Sequence, residues 1–556
     1  MIFKKYFLGI LSGLVLSSCG VSRSLEDLPD ISLYNQEIPE RIAISDSTYK
    51  TQNAYLVGNP YGQWELYAHG DPYQIGMHSG AVSQELFQGQ ERAFLSKVDE
   101  IVPSKFKQYL LRKVVAWYNR KMYLHVPQEY KAEIYGLSRY AGDDYDYVAE
   151  DYLRMLYLHS AHDIGHALQD LALVGCSSFA AWGDKTEDGS LIIGRNLDFY
   201  AGDAFAKNKI IAFIKPSNGY KFMSVNWPGM IGVVSGMNDQ GLTVTINAGK
   251  SDVPLSAKTP ISILTREILQ YASTISEAIE IAKKRQVFVS ESILIGSAID
   301  NMAVTIEVSP ENFGVYSVEN SNQLICANHF QSDAYAKDAN NIEHKAESHS
   351  QYRYERMEEL LDRTSKLTPQ IAVDILRNRE GLKDTSIGYG NEKALNQLLA
   401  HHGIVFKPKE QLVWVSSNPY QLGAFVAYDL NMVFKEASKN LSGASLHKAS
   451  LTIEADPFLY SEAYKHYEQN RILSRELSKA IANKEYVSPK KIKEFQQTNP
   501  DFWEVYYLIG RYHYEKKYYK AALNAFEIAK TKEITTVPDC KEIDLYIKKI
   551  KRRLNE

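Results

Sequence analysis

The sequence predicts an α+β fold in which antiparallel sheets lie between helical layers. Three observations carry this. From 82 to 172 apolar residues recur at three and four, as in "SKFKQYLLRKVVAWYNRKM". At 176 the period drops to two and short strand-like runs begin. Further strands then alternate with paired helical segments, which suits packed layers of both kinds.

Taken in order, residues 20–55 show little periodicity and read as a linker. "GQWELYAHGDPYQIGMHSGAV" gives a strand, a Gly-Asp-Pro turn and a helix start near Tyr73. The strands "SSFAAWGD", "SLIIGRNLDF", "KIIAFIKP", "YKFMSVNW" and "GLTVTINAG" follow, with turns at Asp188-Gly189, Asn218-Gly219 and Gln240-Gly241. One long helix is expected from Ser262 to Arg285, then four more strands to "NQLICANHF". Helices at 350–364 and 369–378 precede the last strands, "GIVFKPKEQLVWVSS" and "GAFVAYDL". From 458 the chain is helical again, and the stretch from Trp503 resembles a tetratricopeptide repeat, with Gly510, Ala522, Phe526 and Ala529 at its small and aromatic positions. A plain helical hairpin packed on the main domain fits that stretch equally well. No candidate site motif falls in 458–556, so this tail is expected to be dispensable for the chemistry.

Composition bounds the function. With 556 residues and 45% apolar content the chain can bury a large core. A net charge of −4 gives no broad basic face, which argues against nucleic acid as a partner. The N-terminus reads as a targeting segment: Lys4 and Lys5, a short apolar run, then "LSSC". It looks like a bacterial lipoprotein signal, with residues 1–19 ending at a lipidated Cys19 and a cell-envelope location, anchored to the membrane by lipid. An ordinary secretory signal is the alternative. Cys176, Cys326 and Cys540 remain. Three cysteines are too few for a disulfide framework and leave at least one unpaired.

Cys176 follows Gly175 at the head of a strand. A thiol is a nucleophile only as thiolate and needs a base or a nearby cation. If the chain is cut between Gly175 and Cys176, the new α-amine, with an ordinary pKa near 7.7–8.0, serves as base. Arg195 on the return strand would favour the thiolate, and Asp198 would hold the amine. Residues three apart on a strand face opposite ways, so a bend near Leu197 is expected if both reach one site.

The stretch "GCSSFAAWG…DGSLIIGRNLDF" resembles the N-terminal-nucleophile hydrolases of the penicillin acyltransferase and choloylglycine hydrolase type. "GDPYQIGMHSG" (70–80), "GMNDQGLTVTINAG" (236–249), and "CANHF" (326–330) followed by "SHSQYRYERMEEL" (348–360) are similar to further motifs of the acyltransferase branch. The resemblance implies an αββα four-layer sandwich over 176–440, a helical pro-region over 56–175, and self-cleavage at Gly175-Cys176. It makes Cys176 the nucleophile, supported by Arg195 and Asp198. It makes Asn247 and Asn328 candidates for oxyanion and amine contacts, with Arg353 completing the polar network. It implies an N-acyl amide as small-molecule substrate, hydrolysis or acyl transfer as the reaction, and no cofactor or metal.

Blander readings stand beside these. Asn247 and Asn328 also suit turns. Arg353 also suits a solvated pair with Glu355 or Glu359. Cys326 reads as core. His162 and His166, spaced four apart, lack the glutamate and third ligand of a zinc site. As a whole-protein alternative, the chain is an inactive envelope lipoprotein whose tail binds a protein partner.

Overall fold

The computed structural model describes residues 18–160, 163, 174–199, 202–250, 254, 256–437 and 443–555. His162 and His166 lie outside them. Among the described residues no helix is long and apolar enough to cross a membrane.

Two antiparallel-dominated sheets form the centre. The larger runs through β1 (Ile42–Ser45), β2 (Thr48–Lys50), β3 (Ala54–Gly58), β4 (Trp64–Gly70), β7 (Ile210–Pro216), β8 (Phe222–Asn226), β9 (Ser235–Asn238), β10 (Leu242–Ala248), β11 (Glu291–Ser297), β12 (Met302–Val308) and β13 (Phe313–Tyr316). The smaller is ordered β14 (Gln323–Cys326), β5 (Val174–Ala181), β6 (Ile192–Phe199), β15 (His402–Lys407), β16 (Leu412–Ser416), β17 (Phe425–Asp429). Side chains such as Ala180, Ile193, Phe213, Val225, Leu294 and Phe406 fill the space between the sheets.

Helices cover both outer faces, so the architecture is the expected αββα sandwich. On the large sheet lie α2 (Pro72–Ile101), α4 (Gln128–Ser138), α5 (Asp151–His159), α7 (Ile261–Tyr271) and α8 (Ile275–Lys283). On the small sheet lie α10 (Ser350–Arg363) and α11 (Pro369–Leu376). Asp71 caps α2 by accepting the Gln74 N–H, with Pro72 at the first helical position, as the Gly-Asp-Pro signal predicts. Gly76 and Gly136 let α2 and α4 touch: a Cβ on Gly76 would stand 2.0 Å from the Glu133 carbonyl oxygen. Two buried ion pairs tie these helices, Arg154–Glu91 between α5 and α2 and Arg266–Glu133 (3.0 Å) between α7 and α4.

The structure differs from the sequence reading in three places. Residues 20–55 are not structureless: they hold most of α1 (Ser18–Glu26), then β1 and β2 at the edge of the large sheet. These strands are short, and β1 is exposed on both faces, so no alternation marks it. The helix expected over 262–285 is two helices. Thr274 and Glu277 form a capping box that starts α8 and breaks the run. The chain before Cys176 is not all helical either: its β4 pairs in parallel with β7, placing four strands in the large sheet.

The tail is five helices: α13 (Glu462–Asn483), α14 (Pro489–Thr498), α15 (Trp503–Glu515), α16 (Tyr519–Ala529) and α17 (Val537–Leu554). Gly510 of α15 lies against the Phe526 ring of α16, the close approach the repeat-like pattern suggests. The tail has its own core of residues such as Leu473, Tyr506, Phe526 and Ile543. It is not free of the main body. Phe502 packs on Gly388, Glu533 accepts from Asn391 at 2.8 Å and Thr535 donates to Glu392 at 3.0 Å, all in the loop 386–398.

Candidate active site

Cys176 sits near the start of β5, and its side chain faces the large sheet with Ser178 and Ala180. It is fully buried. β5 lies between β14 and β6, but β14 ends at Cys326, opposite Ser178. The Cys176 N–H therefore lies beyond that ladder, and the Asn328 side chain takes it, Oδ1 accepting at 2.8 Å. Arg353, from α10, donates to the same Oδ1 at 2.6 Å, to the Cys176 carbonyl, and to Ser177 Oγ at 2.9 Å. Arg353 is buried, and Glu359 pairs instead with Arg356 and Arg363, so the solvated-pair reading of Arg353 fails.

On the thiol face, Arg195 of β6 reaches to 3.8 Å from Cys176 Sγ. It also donates to Ser235 Oγ at 2.6 Å and to the Val234 and Ile246 carbonyls. Behind Ser235 stands His402, 2.9 Å away, and His401 touches His402 through their Nδ1 atoms at 2.8 Å. Burial holds both imidazoles well below their ordinary pKa. This Ser235–His402 support for Arg195 was not legible in the sequence, because "HHGIVF" reads simply as a strand.

Asp198 lies on the other face. β5 and β6 pair without interruption from Val174 opposite Phe199 to Ala181 opposite Ile192, so the expected bend near Leu197 is absent. Asn196, on Asp198's side, donates to the Leu376 and Leu395 carbonyls in the outer layer. Arg195 and Asp198 thus flank the Cys176 backbone from opposite faces of the small sheet. Among the described residues neither Asp198 carboxylate oxygen has a hydrogen-bond partner. Burial pushes its pKa up to about 7, against the pull of Arg353 and Arg195. The thiol is also pushed up, first by burial, with Arg195 the leading opposing influence.

The two asparagines stitch the end of β14 to β10. Asn247 accepts from Ser178 Oγ at 2.8 Å and donates to the Cys326 and Ala327 carbonyls at 2.9 and 3.1 Å. Asn328 donates to the Ala248 carbonyl at 2.9 Å. Asn247 lies within β10 rather than in a turn, and Asn328 lies on a bend just past β14. Asn247 commits its amide N–H groups to these carbonyls, whereas Asn328 reaches Cys176 directly. Cys326 is buried in the inter-sheet core.

Gly175 has a neighbour the sequence did not announce. A Cβ there would stand 2.8 Å from Gln397 Nε2, so that amide lies against the Gly175 Cα. Farther along the thiol face is a largely apolar pocket lined by Phe87, Phe94, Met155, Phe199, Phe205 and Trp227 among others.

Residues 185–418 match the family model described as acyl-coenzyme A:6-aminopenicillanic acid acyl-transferase, a match that begins past Cys176. The chain is 29% identical over 290 residues to an uncharacterized protein of Archaeoglobus fulgidus, covering 48% of this chain and 47% of that one. It is 23% identical over 273 residues to protein dcd1B of Dictyostelium discoideum, covering 46% and 52%. It thus spans about half the length of these curated relatives. Similar solved structures include a Caenorhabditis elegans N-acylethanolamine-hydrolyzing acid amidase ortholog (18% identity, 42% of this chain and 93% of that one, TM-score 0.31). Another is a conjugated bile acid hydrolase variant from Clostridium perfringens (13% identity, 50% and 97%, TM-score 0.30). Over residues 185–418 the chain is similar to the acyl-coenzyme A:6-aminopenicillanic acid acyl-transferase family, in line with the resemblance that its motifs carry.

Proposed function

We propose that the protein is a self-processing cysteine amidase or acyltransferase that cleaves the C–N bond of an N-acyl amide through a thioester on Cys176. The observation that carries this is the setting of Cys176: its thiol beside Arg195, its N–H on Asn328, and Arg353 bracing both Asn328 and the Cys176 carbonyl. Cleavage before Cys176 turns that N–H into an α-amine already held by Asn328. The amine takes the thiol proton as sulfur attacks the substrate carbonyl, and returns it to the leaving amine. Arg195 stabilises the thiolate. Asp198, buried opposite Gly175 with neither carboxylate oxygen hydrogen-bonded among the described residues, would receive the new ammonium. The apolar pocket that includes Phe199, on the thiol side of β6, suits an apolar acyl group.

Mass spectrometry and N-terminal sequencing of purified protein test this. The expected result is a chain beginning at Cys176. Cys176→Ala should give one uncut chain with no amidase activity. Wild-type protein that hydrolyses N-acyl amides with Gly175-Cys176 intact would refute the mechanism, because the base would not exist.

The lipid anchor is part of the same proposal. Cys19→Ala should move the protein from the membrane to the soluble fraction, and unchanged partitioning would sink it.

A further inference from the structure

We propose that Gln397 donates to the oxyanion that forms on the Gly175 carbonyl during self-cleavage, and that the C-terminal helices hold it there. This rests on the self-processing reading. In that step Cys176 Sγ bonds to the Gly175 carbonyl carbon, the C–N bond breaks, and the thiol proton passes to the Cys176 nitrogen. Water then hydrolyses the thioester and leaves a Gly175 carboxylate.

The attack comes from the face on which the Cys176 side chain lies, between the sheets. As the carbon becomes tetrahedral its oxygen bends away from the sulfur, toward the opposite face. Gln397 occupies that face, its Nε2 against the Gly175 Cα. A primary amide has two N–H donors. Among the described residues one goes to the Glu392 carbonyl at 3.2 Å, which fixes the amide and leaves the other for the developing charge. Gln397 is 2% exposed, so this donor works out of water, where a fixed dipole counts most. The same contact gives position 175 a reason to be glycine, since any Cβ would displace the amide.

The tail keeps this loop in place. Leu398, the next residue, is buried with φ +55°, a left-handed conformation that a leucine holds only when its surroundings impose it. Tyr467 of α13 donates to the Leu398 carbonyl at 3.1 Å. Thr535 holds Glu392, whose carbonyl fixes the Gln397 amide, and Glu533 holds Asn391. The tail expected to be dispensable is therefore coupled to the scissile bond.

The test follows cleavage of newly made full-length chain in pulse-chase, reading the fragment that begins at Cys176. Gln397→Met keeps the length of the side chain and loses the donors at any pH, and Gln397→Glu loses them above its carboxyl titration, which burial on the face of Asp198 raises. Above that titration both should slow cleavage by about a hundredfold or more, the scale of one oxyanion donor. Lowering the pH through the carboxyl titration should speed Gln397→Glu relative to Gln397→Met, because a protonated carboxyl donates again. Tyr467→Phe should slow cleavage a few-fold. Circular dichroism checks folding, and if the Met variant does not fold, the Glu variant decides. Cleavage of either folded variant at the wild-type rate above that titration overturns the proposal. An uncut wild type instead overturns the processing reading on which it stands.

Discussion

Two regions of this molecule bury guanidinium groups in opposite ways. In the helical layer over the large sheet, Arg154 and Arg266 each sit on a buried carboxylate, Glu91 and Glu133. Around Cys176, the described partners of Arg195 and Arg353 are carbonyls, hydroxyls, an amide oxygen, an imidazole and the thiol. The acidities follow the difference. Their carboxylate partners raise Arg154 and Arg266 despite burial, whereas burial lowers Arg195 and Arg353. The first pair holds helices together with its charge cancelled. The second has no carboxylate among its described hydrogen-bond partners, though Asp198 acts on both arginines through space, and its positive charge would favour a thiolate on Cys176 at a cost in desolvation.

That contrast can be broken at either end. The largest expected effect is on the paired side. Arg266→Met leaves Glu133 buried without its cation and should cost about 3–5 kcal/mol of stability, measured by denaturant unfolding. Next comes Arg195→Met. Turnover should fall about a hundredfold, on the scale of a lost charge stabiliser, while stability stays the same or rises. A large loss of stability there would place Arg195 with Arg266 as a structural group.

The third test concerns Asp198. Its folded pKa near 7 lies above the ordinary 3.8, so the unfolded chain loses this proton first as pH rises. Stability is intact below about 4, falls through the window from 4 to 7, and levels above it. Unfolding of Cys176→Ala with and without Asp198→Asn, compared from pH 4 to 8, should show the Asn form gaining across that window. A constant difference would mean the carboxylate is already compensated.

The layered fold was legible because the period switch at 176 and the turn residues report burial directly. The edge strands before Ala54 were not, since exposed short strands carry no alternation. Cys176, Arg195 and Asp198 stood out by residue type and spacing, and Asn328 and Arg353 through their motifs. Ser235, His402 and Gln397 did not. Each reaches the centre by a tertiary contact from a strand or loop whose local sequence looks ordinary. Asp198 taught the converse lesson: period two correctly set it opposite Arg195, and the bend near Leu197 was an unneeded correction.

The parallel pairing of β4 with β7 has a consequence for the life of the molecule. A cut at Gly175-Cys176 would leave four strands of one sheet on one polypeptide and seven on the other. Folding before the cut is a one-body problem, with both halves supplied by the same chain. After it, regaining the structure from the unfolded state requires two separate molecules to find each other, so recovery becomes second order in concentration. Maturation would act as a ratchet: the precursor can unfold and refold, whereas the mature form, once denatured and diluted, has lost its way back.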